Sequence, residues 1–325
     1  MLRSGFLLMT GLSLLAHTAS APAAPAKAQR RVGSLKVTIL STMLAHHGMG
    51  EWGFAALVET DGRRILFDTG LRPETVLDNA RELGVDLATV TDVVLSHHHG
   101  DHTGGLLALR RELSPKAPGA LSRIHVAPGI FLSRRHAGST EEANPTIALK
   151  SEMEATGAVF LEHRAPTEIF PGVWVTGPVP RPHPERYWGP PASIVTNRGL
   201  VADSIPEDMA LIVNTDRGMV VVVGCGHAGT ANTVDYGRSI VGAEPVYAMI
   251  GGLHLFAAPD SALAWTASRL RDAKLSYLLG AHCTGIEAVY RIRELAALGR
   301  KRAVVAAVGS SFDVSKGIDP LALAQ

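Results

Sequence analysis

Four side chains that can bind a metal ion stand close together in a His-x-His-x-Asp-His pattern: His97, His99, Asp101 and His102. Residues 90–95, just before them, are typical of a buried strand, and residues 104–113 are typical of a helix. Residues two apart in an extended stretch point the same way, so His97 and His99 can share one metal ion. Asp101 and His102 lie past the turn and can reach a second ion. Imidazole with carboxylate is a ligand set that zinc accepts.

A histidine-rich surface loop that binds no ion is the alternative to a metal site. The ordered aspartate, the strand before it and the Gly104-Gly105 entry into a helix favour the metal site. A later stretch repeats the order of strand, turn and helix, with residues 219–223, Gly224-Cys225-Gly226-His227 and residues 231–241. His227 is therefore the predicted third histidine ligand, and a core or helix-capping role is its alternative.

The elements around these motifs are predicted from hydrophobic pattern and turn residues. Residues 54–59 and 64–67 predict a hairpin, and Asp68 follows its second strand. Asp68 could orient a ligating histidine or cap the turn at Gly70. Residues 130–146 predict a polar connection over the mouth of the site, with a solvated loop as the alternative. Residues 303–308 predict the last strand.

A proline-rich segment, residues 178–191, cannot form regular structure. Its polar and aromatic side chains suit a loop that lines a substrate site. They are Arg181, His183, Arg186, Tyr187 and Trp188.

The composition predicts a globular chain with a sizeable core, since 46% of its 325 residues are hydrophobic and 19% are charged. The 31 basic and 30 acidic residues nearly balance, and no block of like charge stands out. Nothing therefore indicates binding to nucleic acid or to an anionic membrane surface, and a small-molecule substrate is the expected partner. The sequence does not indicate an oligomeric state.

The N-terminus has the pattern of a secretory signal peptide, with an uncharged apolar stretch over residues 5–16 and small residues at Ala19-Ser20-Ala21. An uncleaved anchor is the alternative. We predict a signal peptide over residues 1–23, an Ala/Pro linker over 24–32 and a single domain over 33–325. The mature protein is then expected to be periplasmic or secreted, with no stable membrane insertion after signal cleavage.

The histidine-rich pattern resembles the signature of the metallo-β-lactamase superfamily, whose members share an αββα sandwich with a one- or two-metal site at one edge of the sheets. Further stretches resemble the branch named after the archaeal 7,8-dihydropterin-6-methyl-4-(β-D-ribofuranosyl)-aminobenzene-5′-phosphate synthase. They are residues 66–70, 224–227, 251–255 and 282–285. The resemblance covers residues 35–312. It implies an α/β fold, an αββα sandwich of the metallo-β-lactamase type, with two mixed β-sheets flanked by helices.

Carried over residue by residue, the resemblance implies two metal sites. One contains His97, His99 and His227, and the other contains Asp101, His102 and His282. It places His254 nearby, as a substrate contact or an alternative ligand, so Asp101 and His254 are the predicted catalytic residues. The remaining histidines singled out are expected not to be ligands: His46, His47, His163 and His183. The expected cofactors are two divalent metal ions, Zn²⁺ first and Mn²⁺ or Fe²⁺ as alternatives.

Two divalent ions about 3.5–4 Å apart can lower the pKa of a shared water and polarise the bond under attack. The predicted function is an exported metal-dependent hydrolase. In it a metal-bound hydroxide, oriented by Asp101, cleaves an ester-, phosphoester-, thioester- or lactone-type bond. The alternative is a transferase or lyase related to dihydropterin ribofuranosylaminobenzene phosphate synthase. Export disfavours that alternative, because reduced pterins and phosphoribosyl donors are cytoplasmic. The third interpretation is a domain that binds metal but does not catalyse a reaction.

The chain has two cysteines, Cys225 and Cys283, and each lies next to a predicted ligand. Many superfamily hydrolases have a bridging aspartate where the strand over residues 219–223 ends, and this chain has Cys225. The thiols could form a disulfide, one could ligate a metal, or both could pack as small buried hydrophobic groups. Packing is the favoured prediction, because the histidines and Asp101 already supply six ligands.

Overall fold

The computed structural model describes residues 1, 30–185 and 192–321. Apart from Met1, the predicted signal peptide lies outside the described residues, as do residues 24–29 of the predicted linker. The same holds for Arg186, Tyr187 and Trp188 of the predicted substrate loop. In the parts of the chain that are described, every helix is too short or too polar to cross a lipid bilayer.

The strands follow one another in chain order as β1 (Lys36–Ser41), β2 (Leu44–Ala45), β3 (Ala55–Thr60), β4 (Arg63–Phe67), β5 (Asp92–Val94), β6 (Arg123–Val126), β7 (Arg134–His136), β8 (Val159–Glu162), β9 (Thr167–Phe170), β10 (Val173–Val175), β11 (Ala192–Thr196), β12 (Gly199–Ala202), β13 (Leu211–Thr215), β14 (Gly218–Val223), β15 (Val246–Gly251), β16 (Tyr277–Gly280), β17 (Ala303–Val305), β18 (Ala307–Val308), β19 (Ser311–Asp313) and β20 (Gly317–Asp319). The helices are α1 (Thr75–Glu82), α2 (Gly100–Thr103), α3 (Leu106–Leu113), α4 (Thr146–Ala155), α5 (Thr230–Val241), α6 (Asp260–Asp272) and α7 (Ile286–Leu295). A short 3₁₀ turn covers His282–Thr284.

Two mixed sheets form the centre of the molecule. The first has the order β20-β19-β1-β3-β4-β5-β6-β8, and the second has the order β17-β16-β15-β14-β13-β10-β9. Alternation along β14 shows how they pack. Val220 and Val222 lie in the core between the sheets, and Met219 and Val221 pack against the helices outside. This is the period of two expected for a strand that is buried on both faces.

Helices cover the outer face of each sheet. α5, α6 and α7 contribute to the apolar cluster outside the second sheet, and α1, α3 and α4 contribute to the one outside the first. The layers are therefore helix, sheet, sheet and helix. The observed order agrees with the predicted αββα sandwich of two mixed sheets.

Parallel strands bring the functional motifs to one edge. β4 and β5 are parallel, and so are β14, β15 and β16. The carboxyl ends of parallel neighbours lie at the same edge of a sheet, so residues that follow these strands meet there. Asp68 follows β4, the histidine-rich motif follows β5, and His227, His254 and His282 follow the other three strands.

The predicted connection over residues 130–146 is wrong in part. It contains β7, which joins β11 and β12 in a small separate sheet, and it leads into the unpredicted helix α4. Pro145 precedes this helix, and Leu149 and Met153, four residues apart, turn one face to the core. Proline followed by an i, i+4 apolar pair was therefore a usable signal.

Two further boundaries differ from the prediction. The helix expected over residues 104–113 begins two residues later, as α3 at Leu106, and an unpredicted short helix, α2, precedes it from Gly100. A Cβ atom at Gly104 would lie 1.9 Å from the carbonyl oxygen of Leu71, so this glycine permits a close backbone approach. The strand over residues 303–308 is not the last, because β19 pairs with β1 and extends the first sheet.

Candidate metal centre

The histidine-rich motif changes conformation at His99. This residue has extended backbone (φ −62°, ψ 143°), and α2 begins at the next residue. Asp101 and His102 therefore lie in the first helical turn, while His97 lies between β5 and that turn. The backbone NH of Thr69 donates to the carbonyl of His102 (2.7 Å), which holds the turn against the end of β4.

Three non-glycine residues of the site have left-handed backbone: Asp68 (φ 56°), His254 (φ 50°) and His282 (φ 45°). This conformation is costly for residues with a Cβ atom and persists where the surrounding structure imposes it. Each of the three residues follows the carboxyl end of a core strand. The strain therefore falls where side chains are turned into the site.

The first candidate ligand set contains His97, His99 and His227, whose ligand atoms all lie within 4.8 Å of one another. Nε2 of His97 lies 2.9 Å from Nδ1 of His99. The rings of His97 and His227 are 4.7 Å apart between centroids. Burial first, and neighbouring imidazoles second, lower the pKa values of all three histidines well below their ordinary value. The set is therefore neutral near pH 7.

The second candidate set contains Asp101, His102 and His282, again with ligand atoms within 4.8 Å. An oxygen of Asp101 lies 3.2 Å from Nε2 of His282, and its other oxygen lies 3.8 Å from Nε2 of His102. Burial opposes the charged form of His102, but the carboxylates of Asp101 and Asp68 outweigh it and raise its pKa to about 9. Burial likewise opposes ionisation of Asp101, and His102 and His282 hold its pKa well below the usual range.

Asp68 orients His102. Its Oδ2 atom lies 2.7 Å from Nδ1 of His102, which leaves Nε2 of that ring directed into the site. The same carboxylate accepts hydrogen bonds from the backbone NH and the hydroxyl of Ser96, both at 2.7 Å. A carboxylate that fixes the ring of a ligating histidine is a recurrent feature of metal sites. The geometry thus favours an orienting role for Asp68 over the alternative of capping the turn at Gly70.

Both cysteines are free thiols and are buried beside the second set. Sγ of Cys225 lies 3.1 Å from Nε2 of His102 and 3.3 Å from Sγ of Cys283. Burial raises the pKa of the Cys225 thiol, and neighbouring Cys283 raises it further. Cys225 also forms a possible ligand group with His97 and His102, so its distance alone fits either packing or ligation.

His254 lies at the border of the site. Its ring is 4.6 Å from that of His227, and it forms a fourth possible ligand group with Cys225 and Cys283. It is half-buried. The structure therefore brings His254 to the centre and is compatible with either role expected for it, substrate contact or alternative ligand.

The four histidines expected not to be ligands lie elsewhere. His46 and His47 are exposed, and their rings contact each other. Nε2 of His163 lies 2.9 Å from Nδ1 of His125, and Nε2 of His183 lies 2.9 Å from Asp235. Within residues 30–185 and 192–321, none of the four belongs to a group that could hold a metal ion.

A buried hydrogen-bond network that the sequence did not reveal holds the histidine-rich motif in place. Oε1 of Glu207 lies 2.7 Å from Nδ1 of His98, which stands between two candidate ligands. The other Glu207 oxygen accepts from Arg134 (2.8 Å), and Arg134 also donates to Asp203 (2.7 Å). More than 60 residues separate Arg134 from either carboxylate, so no local pattern could have indicated the network.

Two other buried carboxylates hold the loop that carries His227. Asp208 accepts a hydrogen bond from the backbone NH of Ala228 (2.7 Å). Glu185 accepts from the backbone NH groups of Ala231 (3.0 Å) and Asn232 (3.1 Å), in the first turn of α5. These NH groups have no partner within their own helix, so Glu185 caps it.

A cleft of about 830 Å³ opens beside the two sets. His99 and Asp101 form part of its floor, and His136, Ile147 and Ala148 are among the side chains that line it. The cleft has the size of a small-molecule site. The segment over residues 130–146 thus contributes to the mouth of the site, as expected, although it is more regular than predicted.

The residues present fit divalent metal ions. The two sets supply imidazole and carboxylate groups, which zinc, manganese and iron accept. Neutral imidazole is the form that binds a metal, and the first set is already neutral. Nδ1 of His282 is buried and has no hydrogen-bond partner within the described residues. A bound ion or its ordered surroundings would satisfy such an atom.

Comparison with known sequences gives two findings. The Lactamase_B family model, described as the metallo-beta-lactamase superfamily, matches residues 53–121. The chain is also similar to 7,8-dihydropterin-6-methyl-4-(beta-D-ribofuranosyl)-aminobenzene-5′-phosphate synthase of Methanocaldococcus jannaschii. The two are 28% identical over 275 residues, which cover 79% of this chain and 90% of that protein.

Solved structures have the same fold. A metal-dependent hydrolase of the β-lactamase superfamily superposes with a TM-score of 0.69 at 24% identity, covering 86% of this chain and 99% of that one. Zn²⁺-bound PqqB from Methylobacterium extorquens superposes with a TM-score of 0.52 at 16% identity, covering 86% and 100%. At these identities the likeness shows the fold alone, and the predicted fold is confirmed.

Proposed function

We propose that this chain, which is similar in sequence and in fold to proteins of the metallo-β-lactamase superfamily, is a metal-dependent hydrolase of a small molecule. The bond cleaved is of the ester, phosphoester, thioester or lactone type. The observation that carries the proposal is the convergence of two three-residue ligand sets where strands of both sheets end, beside an open cleft. The proposed cofactors are two divalent ions, of which Zn²⁺ is the first candidate. We also propose that the protein is exported, and the N-terminal sequence pattern supports this.

The chain's own residues have distinct tasks in this reaction. Bound divalent ions would supply a water of lowered pKa and polarise the bond under attack. Asp101 stays ionised and is partly exposed to the cleft, so it can accept a hydrogen bond from the attacking water and orient it. Asp68 holds the ring of His102 in one orientation. His254, half-buried beside His227, is placed to contact an oxygen of the substrate.

The test uses the full chain purified from its own host, with metal content measured before and after chelation. A panel of carboxylic esters, thioesters, lactones and phosphodiesters is assayed with the metal-free protein and after Zn²⁺ or Mn²⁺ is restored. We expect at least one bond class to be cleaved only by the metal-loaded protein. Absence of hydrolysis across the panel, with both metal equivalents bound, would overturn the proposal.

A second candidate is a transferase or lyase activity. The relative from Methanocaldococcus jannaschii is named a synthase, and the match covers 90% of its length. Incubation of the metal-loaded protein with a ribofuranosylaminobenzene phosphate and a dihydropterin that has a leaving group on its 6-methyl carbon, which the joining step would displace, would test this candidate. Formation of a joined product, without hydrolysis of the ester panel, would favour it over the hydrolase.

A further inference from the structure

Two exposed aromatic residues, Trp52 and Phe256, meet at the surface next to the metal centre. Trp52 lies between β2 and β3, and Phe256 follows β15. The two residues are 44% and 51% exposed, and their rings meet edge to face with 5.5 Å between centroids. Scattered apolar residues are normal on a protein surface, but a contiguous exposed pair beside a site indicates a ligand-binding surface. We call these two residues the aromatic pair.

The backbone on both sides of Trp52 is held firmly. The NH of Glu51 donates to the carbonyl of Thr42 (3.0 Å), and the NH of Phe54 donates to the carbonyl of Asp101 (3.1 Å). The buried carboxylate of Glu51 accepts from the NH groups of Leu71 (2.9 Å) and its neighbour. Trp52 is therefore exposed on a rigid segment whose backbone is hydrogen-bonded to Asp101 in the metal-binding turn.

Phe256 is held as firmly. Its backbone NH and that of Leu255 both donate to the carbonyl of Cys283, at 3.2 and 3.0 Å. Gly285 allows this approach, because a Cβ atom there would lie 2.8 Å from Cα of Phe256. Both aromatic residues are thus presented by fixed backbone, so a ligand could bind them with little additional ordering.

The aromatic pair touches residues of the metal centre. The ring of Trp52 is 4.9 Å from that of His282, and the ring of Phe256 is 5.4 Å from that of His254. The cleft, in contrast, adjoins His99 and Asp101. A substrate whose reacting bond lies at the metal centre can therefore extend into the cleft and also reach the aromatic pair.

We infer that the aromatic pair binds a planar aromatic group of the substrate, next to the bond that is cleaved. Rigid aromatic side chains favour another ring, because offset and edge-to-face contacts add to the burial of apolar area. This inference rests on the proposed function for the position of the reacting bond. It adds a substrate class, namely molecules with an aromatic ring close to the scissile group.

Binding of two matched phosphonates to the full-length, metal-loaded protein tests the inference without requiring turnover. Benzylphosphonate and cyclohexylmethylphosphonate have the same anionic group and similar apolar size, but only the first has an aromatic ring. Calorimetric titration should show that benzylphosphonate binds about 3–10-fold more tightly, the range that aromatic contacts give. In Trp52→Leu this preference should disappear, and Trp52→Phe should retain most of it.

Phe170→Leu is the matched control. Phe170 is a half-buried aromatic residue whose ring is covered by Arg63. Arg63 is the first residue of β4, and Asp68 follows the other end of that strand. The Phe170→Leu variant should leave the preference for benzylphosphonate unchanged. Equal affinities for both phosphonates in the wild-type protein, or an unchanged preference in Trp52→Leu with a normal melting curve, would overturn the inference. So would a change of oligomeric state in Trp52→Leu, because the aromatic pair would then be a subunit contact.

The inference and the proposed function fail separately. If benzylphosphonate binding depends on Trp52 but no ester is cleaved, the aromatic site stands and the hydrolase does not. If esters are cleaved with equal kcat/KM for benzyl and cyclohexylmethyl groups, the hydrolase stands and the aromatic site does not.

Discussion

The two ligand sets lie side by side but differ in charge. His97, His99 and His227 are three imidazoles whose pKa values burial lowers, so they are neutral and ready to bind a cation. The second set pairs Asp101 with His102, and without a metal this pair is charged on both sides. The first set is therefore preformed for metal, whereas the second must release a proton when it binds metal.

The cause of the difference is the position of carboxylates. Asp68 and Asp101 both lie next to His102, with shortest distances of 2.7 and 3.8 Å. In the first set, the neighbours that act on His97 and His227 are other histidines. The two carboxylates therefore stabilise the proton on His102, and they would also stabilise a divalent ion that replaced this proton.

Removal of ligands should have the largest effect and should separate the sets. We expect His97→Ala or His99→Ala to lose one metal equivalent, and Asp101→Ala or His102→Ala chiefly the other. Activity on any substrate found should fall by several orders of magnitude in each variant, because both sets act on the attacking water. His163→Ala, outside the centre, should retain both metals. Full metal content and activity in all four variants would contradict the whole site assignment.

The two sets should also differ in how their metal affinity depends on pH. His102 is protonated below its pKa of about 9, so metal must displace that proton. Affinity of the second set should therefore rise with pH, by up to about tenfold per unit between pH 7 and 9, and then level off. The first set should show little change over that range. His97→Ala should retain the second set, and Asp101→Ala should retain the first. Metal titrations of these two variants at several pH values therefore measure how the affinity of each set changes with pH.

Asp68→Asn provides the control for this pH effect. It retains a side chain that can bond to His102 but removes one of the two charges that raise its pKa. The pH slope of the second set should become smaller, and metal affinity there should fall by about 10–100-fold. Asp92→Asn changes a buried carboxylate that likewise contacts a histidine, His125 (2.8 Å), at the start of β5. Asp92→Asn should leave both metal sites unchanged. Equal pH slopes for the two sets would contradict the difference in charge between them.

The cysteines should have the smallest effect. If both thiols pack, Cys225→Ser and Cys283→Ser should each retain two metal equivalents and lose about 1 kcal/mol of unfolding free energy, a typical cost for a conservative buried change. Metal analysis and thermal melting measure these two quantities. A metal equivalent lost in Cys225→Ser alone would make Cys225 a seventh ligand, in the second set because of its contact with His102.

Local pattern was sufficient for much of the site. His97, His99, Asp101 and His102 are neighbours in the chain, so their spacing and the strand before them already indicate which can act together. The apolar run of β14 and the glycine-rich turn after it likewise indicate where His227 lies, whereas His282 was implied by the resemblance. These features are local because a strand end fixes the direction of the residues that follow it.

Contacts between distant parts of the chain could not be predicted from local pattern. Glu207 reaches His98 across 109 residues, and Trp52 meets Phe256 through loops that follow strands in different sheets. The charge of His102 depends on Asp68, which lies 34 residues before it. Sequence pattern reports the period and the ends of elements, whereas such contacts depend on which strands become neighbours and on how the two sheets pack.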